Sequence, residues 1–195
     1  MSAVFKLTYG LFVLSAKDGE KDNACIINTG MQVTDSPLQL SITVNKKNFT
    51  HDMIMKTGEF NLSVLSQEAP FEIFRQFGMQ SGKDTDKFQG EIKRMDNGIS
   101  YIEGPTNAAL SVKVNKTVDV GSHTIFIGEV REEKVLSEVP SASYQYYFDH
   151  IKPKPETKKK GYVCKICGYV YEGDVLPEDF VCPLCKHGAI DFEPL

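Results

Sequence analysis

The sequence predicts a mainly β protein: a barrel-type domain interrupted by short helices, followed by a small domain folded around four cysteines. Three observations carry this expectation. Apolar residues before position 151 recur in short alternating or continuous runs, the strand pattern, and only two stretches have helical spacing. Turn residues separate successive runs, so that neighbours fall into hairpins. Four of the five cysteines lie in the last 35 residues as two Cys-x-x-Cys pairs, Cys164/Cys167 and Cys182/Cys185.

Taken in order, residues 4–14, 25–33, 38–44 and 60–65 read as strands. Residues 49–56 read as a helix that Asn48 can cap and Gly58 can end, and residues 70–77 as a second one between Ser66 and Gly78. Asp96-Asn97-Gly98 joins strands at 91–95 and 99–103, Asn-Gly being a strong two-residue turn signal. Residues 108–120 then pair with 124–135 across Gly121-Ser122. Seven or eight strands and few helices argue for a barrel.

Charge and composition bound the rest. With 195 residues, 41% hydrophobic and a net charge of -4, the chain has room for one full domain and a small one. The boundary is marked by residues 152–160, five lysines and one glutamate with two prolines, which divide residues 1–151 from 161–195. In an acidic chain this run reads as a solvated linker rather than a nucleic-acid surface, and nine residues reach roughly 28 Å at ~3.1 Å each. No export signal opens the chain, no apolar run is long enough for a bilayer, and cysteines in metal-type pairs fit a reducing compartment. A cytoplasmic protein without membrane or nucleic-acid partners is expected.

Two thiolate pairs offer four soft ligands at tetrahedral positions, which narrows the ion to zinc or iron. Spacing alone leaves both open; Tyr162, Tyr169, Tyr171 and Phe180 flank the ligands and would bury the centre, which leans toward iron. A segment below about 40 residues usually needs a metal, disulfides or a partner to hold its fold, so a zinc ribbon serving only as a staple also fits. The pattern Tyr162-x-Cys164-x-x-Cys167-Gly168-Tyr169-x-Tyr171, with Pro177, Phe180 and Cys182-Pro183-x-Cys185, resembles rubredoxin over residues 161–195. That resemblance implies one iron on Cys164, Cys167, Cys182 and Cys185, working as a one-electron carrier. Two features depart from the family: only fourteen residues separate the knuckles, and Lys186 stands where the pattern has glycine.

In the first domain there is no glycine-rich nucleotide loop and no serine, histidine and acid set. One anion site suggests itself where Asn45-Lys46-Lys47-Asn48 leaves a strand and enters a helix, with Thr50 in its first turn; lysines there also read as merely solvated. The order of segments Asn23-Ala24-Cys25-Ile26-Ile27-Asn28-Thr29, Thr34-Asp35-Ser36-Pro37, Asn45-Lys46-Lys47-Asn48-x-Thr50, Ser81-Gly82-Lys83-Asp84-x-Asp86-Lys87-Phe88 and Gly121-Ser122-His123 resembles the flavin reductase-like proteins, which bind FMN in a split β-barrel. By this resemblance Asn23, Ala24, Cys25, Ile26, Asn28 and Thr29 line the flavin ring. Asn45, Lys46, Lys47, Asn48 and Thr50 hold its phosphate, and His123 faces the flavin or the incoming nicotinamide; the family has aspartate where Ser122 stands. Residue chemistry alone also allows Cys25 as a small strand residue, His123 as a hairpin cap, and Phe71, Phe74 and Phe77 as core.

Together the two parts resemble high molecular weight rubredoxin. The resemblance implies an NAD(P)H-dependent flavin/rubredoxin oxidoreductase: FMN accepts electron pairs from NAD(P)H and releases them singly to the iron, which serves a flavodiiron-type acceptor protein. It also implies a homodimer. Two other readings stay open at this point: a pure FMN/iron carrier without its own nicotinamide activity, and a flavin reductase with a structural zinc tail.

Overall fold

A computed structural model describes residues 3–88, 90–153 and 161–195. A 3-10 turn (Ala3–Lys6) precedes β1 (Phe12–Asp18), β2 (Lys21–Ile27), β3 (Gly30–Asp35), β4 (Leu38–Asn45), α1 (Phe49–Thr57), β5 (Glu59–Leu65), α2 (Phe71–Gly78), β6 (Thr106–Asp119) and β7 (His123–Val135). A short helix α3 (Tyr144–Tyr146) continues as a wider turn, Tyr147–Ile151, and the second domain adds β8 (Tyr162–Cys164), β9 (Val170–Tyr171) and β10 (Phe192–Pro194). No helix among the described residues is long and apolar enough to cross a membrane.

The seven large strands form one antiparallel sheet in the order β2-β1-β5-β6-β7-β4-β3. Its two edges, β2 and β3, are consecutive in the chain and only Asn28 and Thr29 separate them. Laid flat, six inter-strand gaps of ~4.8 Å would put the edges about 29 Å apart, whereas three Cα steps reach at most about 11 Å. The sheet must therefore curl into a barrel that stays split along this seam. Thr29 Oγ1 donates to the Thr43 carbonyl at 2.8 Å and fastens the crossing.

Alternation along the strands divides the core in two. Leu14, Cys25, Ile42, Phe60, Val112 and Phe126 pack inside the barrel, whose end α1 closes with Met53 and Ile54. Leu11, Val13, Ala24 and Leu65 face the other way, under Phe74 and Phe77 of α2 and Tyr147. Phe71 packs against this second cluster from a partly buried position. A strand covered on both faces reads as a continuous apolar run, which is why β1 does.

Four elements differ from the sequence reading. The first strand starts at Phe12 rather than residue 4, and Val4 is exposed. Residues 25–33 divide into β2 and β3 because the sheet changes edge there. The turn at 96–98 forms, but its flanks share a single bridge, Arg94↔Ser100, closed by the Met95 amide on the Ile99 carbonyl at 3.1 Å and the Tyr101 amide on the Lys93 carbonyl at 3.0 Å; side chains of β5 bond the same segment, Asn61 Nδ2 donating to the Ile99 carbonyl at 2.8 Å and Ser63 Oγ accepting from the Ile102 amide at 3.1 Å. Asn48 makes no capping hydrogen bond to α1. Of the linker, Lys152 is fixed, its ammonium bonding the Lys165 carbonyl and lying 5.1 Å from the Phe148 ring; positions 154–160 lie outside the described residues.

Candidate functional site

In the second domain two tight loops bring four sulfurs together. The Cys164, Cys167, Cys182 and Cys185 Sγ atoms all lie within 4.8 Å of one another, with Cys164–Cys185 at 3.6 Å and Cys167–Cys182 at 3.5 Å. A tetrahedron with ~2.3 Å metal–sulfur bonds has edges of ~3.8 Å, so the set is sized for one ion, and a disulfide would need about 2.05 Å. The loops repeat each other. Gly168 N–H donates to the Cys164 carbonyl at 2.8 Å and Lys186 N–H to that of Cys182 at 2.9 Å; Cys164 and Cys182 amides donate to the carbonyls of Tyr169 and His187, both at 2.8 Å. Each loop needs one left-handed residue, and these are Gly168 (φ 80) and Lys186 (φ 63). Lysine thus takes up the glycine conformation instead of rearranging the loop.

That geometry turns amides toward sulfur. Burial pushes the Cys167 thiol up to about 11, against the Tyr169 amide that favours the thiolate. Burial also raises Cys185, opposed by the His187 amide, whereas at Cys182 burial is outweighed by the Cys185 and Leu184 amides together with the Cys185 and Cys167 side chains, which lower its pKa. Buried thiols that resist ionisation in isolation are what a cation ionises on binding. Phe192, Tyr162, Tyr169, Tyr171, Leu176 and Phe180 enclose them.

The first domain contributes a cleft at the seam of the barrel. One part, about 270 Å³, is lined by Asn23, Cys25, Ile26, Lys47, Asn48 and Thr50 together with Gly78, Gly82 and Lys87. An adjoining part of about 520 Å³ includes Ile26, Asn28, Asn45, Tyr144 and Tyr147. Cys185, Lys186 and His187 of the second domain wall the first part, and Lys165, Ile166 and His187 the second. Met79 joins the side chains packed around the four cysteines. The four-cysteine cluster therefore abuts the cleft, with Cys185, the least buried of the four, in the wall.

Asn23 Nδ2 donates to Thr50 Oγ1 at 2.8 Å, which ties β2 to the start of α1. Its Oδ1 is buried with no hydrogen-bond partner among the described residues, and a Cβ on Gly82 would stand 1.9 Å from it. An orphaned acceptor, free amides at a helix start and a cleft of this size suit a polar, ring-bearing, anionic cofactor such as a flavin nucleotide. Asn48 Nδ2 lies 3.8 Å from the Cys25 sulfur, and burial raises the Cys25 pKa, leaving a neutral thiol.

The remaining expected residues lie off the cleft wall. Ala24 is buried in the second core cluster, and Thr29 fastens the seam. Lys46 pairs with Asp119 at 2.7 Å. His123 sits opposite Asn45 across β4 and β7, its Nδ1 2.8 Å from Ser122 Oγ. Sequence reasoning assigned no role to Lys87, Met79 or the face carrying Lys165, Ile166 and His187. Lys87 fell inside a segment already matched to the flavin reductase-like proteins; its polar neighbours hid its burial.

Comparison with known proteins agrees with this geometry. Residues 4–154 match the flavin reductase like domain, and residues 162–193 the rubrerythrin, rubredoxin-like domain. The high molecular weight rubredoxin of Moorella thermoacetica is 35% identical, the alignment covering 99% of this chain and 98% of that protein. The ferric-chelate reductase (NAD(P)H) of Archaeoglobus fulgidus is 32% identical over 82% of this chain and 94% of its own length. Among solved structures, an NADH:FAD oxidoreductase of Streptomyces globisporus aligns at a TM-score of 0.63 with 25% identity, covering 72% of this chain and 84% of that one. The FMN-binding protein of Thermus thermophilus shares the fold at a TM-score of 0.63 and 21% identity over 69% and 74% of the two chains. The chain belongs to the flavin reductase-like family, as an electron-transfer flavoprotein with a rubredoxin-like domain at its C-terminal end, the architecture of high molecular weight rubredoxin.

Proposed function

We propose that the cleft holds FMN, that NAD(P)H reduces it, and that electrons pass singly to one iron on Cys164, Cys167, Cys182 and Cys185, which serves a flavodiiron-type acceptor protein. The observation that carries the proposal is Cys185: a cysteine of the four-sulfur cluster lines the same cleft as Asn23, Lys47, Asn48 and Thr50, so the two centres need no separate carrier between them. Bound there, the flavin supplies two-electron uptake from nicotinamide and one-electron release.

In this scheme the chain positions and screens rather than exchanging protons. Asn23, Cys25, Ile26 and Asn28 wall the ring, with Ala24 and Thr29 holding that wall in register. Asn45, Lys47, Asn48 and Thr50 offer amides, a cation and a hydroxyl to the phosphate, while Lys46 and His123 stand behind them. Hydride transfer needs two rings held close more than an acid or base. Tethering keeps the iron module at an effective concentration near millimolar. A cytoplasmic homodimer completes the proposal, supported by the exposed Met31 and Val33 on edge strand β3.

Cys164→Ser tests the series order. It is expected to abolish reduction of the downstream acceptor while NAD(P)H still reduces the flavin; equal loss of both would show that the domains do not act in series.

A further inference from the structure

Lys87 is 5% exposed, yet it is a lysine in the wall of the cleft. Its ammonium donates to the Ala24 carbonyl at 2.8 Å and the Phe77 carbonyl at 3.1 Å, which leaves one of three N–H groups unspent among the described residues. None of the ion pairs among the described residues includes it. Among the described residues, the one acidic group whose charge acts on it is Cys25, a buried thiol held neutral by the same desolvation. A buried cation without a counter-charge is unfavourable, and such groups are found paired or facing a ligand.

We propose that Lys87 is the buried counter-charge of the cofactor cleft, meeting an anionic part of the bound flavin. This rests on the reading of the cleft as a flavin site. Its two carbonyl bonds fasten β2 to the end of α2, but a neutral donor would do that equally well, so the staple leaves the charge unexplained. In a dry wall a charge acts strongly on its neighbours, and an anion beside Lys87 offsets the desolvation that draws its pKa down. Two parts of the cofactor are anionic: the phosphate always, and the ring system once reduced. Exposed Lys47 and the start of α1 already suit the phosphate.

The test uses the full-length chain with Lys87→Gln, which keeps a donor and removes the charge, and Lys87→Arg, which keeps the charge. Affinities for FMN and riboflavin are measured in both oxidation states, with the iron-thiolate absorption as a check on the tail. If the ring is the partner, Lys87→Gln weakens reduced FMN and riboflavin about tenfold more than the oxidised forms, lowering the two-electron midpoint by ~30 mV, and Lys87→Arg recovers most of it. If the phosphate is the partner, FMN is weakened about tenfold in both states and riboflavin is untouched. Wild-type affinities throughout in Lys87→Gln overturn the proposal. In wild-type chain labelled with 15N-lysine, the buried ammonium resonance is expected to move on adding FMN; a stationary one overturns the proposal even where the variants do not fold. A wild-type chain that binds neither flavin overturns the underlying site reading as well.

Discussion

Replacing Lys186 by glycine is expected to tighten the metal centre and lower its potential at once. The residue holds φ 63, among the described residues the only non-glycine one in the left-handed region, in a turn whose twin uses Gly168 at φ 80. For an L-residue that conformation costs about 1–2 kcal/mol; glycine removes the penalty and gives back about 0.5–1 kcal/mol through its freer unfolded chain. A net gain of about 0.7 kcal/mol remains, which is roughly threefold in an equilibrium constant. The assay is metal release to a strong chelator, followed by loss of the iron-thiolate band, with Lys186→Ala as control: it removes the charge and retains the left-handed penalty. Release is expected to be about threefold less favourable in Lys186→Gly and unchanged in Lys186→Ala. Both should lower the reduction potential, since each deletes a positive charge beside Cys185. Unchanged release in Lys186→Gly refutes the conformational argument, and an unchanged potential in both refutes the electrostatic one.

Three further perturbations address the cleft and the tail. Gly82→Ala drives a methyl group onto the Asn23 oxygen and should weaken flavin binding at least tenfold while the iron band stays intact, as flavin fluorescence titration would reveal. Met79→Glu puts a charge where the tail packs on the first domain; rapid-mixing absorbance should show slower flavin-to-iron transfer with the spectra of both centres unchanged. Stripping the metal with chelator should unfold residues 161–195 and leave the barrel melting as before, because a tail of this size cannot stand on its small core alone; calorimetry that finds one unchanged transition including the tail would contradict this.

The parts legible in sequence were those where local chemistry and tertiary demand agree. The Cys-x-x-Cys knuckles, the Gly58 helix end (φ 71) and the β6–β7 hairpin are each set by nearby residues. The flanks of 96–98 pair through one bridge only, and beyond it their backbone turns to Asn61 and Ser63, more than thirty residues away. Residues 25–33 looked like one strand because nothing in their composition announces that Asn28 and Thr29 must cross from one sheet edge to the other. Tyr144, Tyr146, Tyr147 and Phe148 carry strand-like composition, yet they form a helical segment whose Tyr147 packs 4.5 Å from Phe74. In the site, Asn23 and Thr50 could be named from pattern, but the bond that joins them depends on the barrel. Lys87 was invisible because its burial depends on the Ala24 and Phe77 carbonyls that β2 and α2 bring to it, and Met79 and the docking of Cys185 because they arise from where the second domain sits.

The most direct test of the relay is an anaerobic titration of the purified protein with NADH and with NADPH, recording flavin and iron-thiolate bands together. The account predicts that both bleach with one of the two nicotinamides, the flavin first and the iron from it. Two bands that stay oxidised with either donor would contradict the nicotinamide step and leave a carrier fed by another enzyme, and a zinc-filled tail without an iron band would contradict the relay itself.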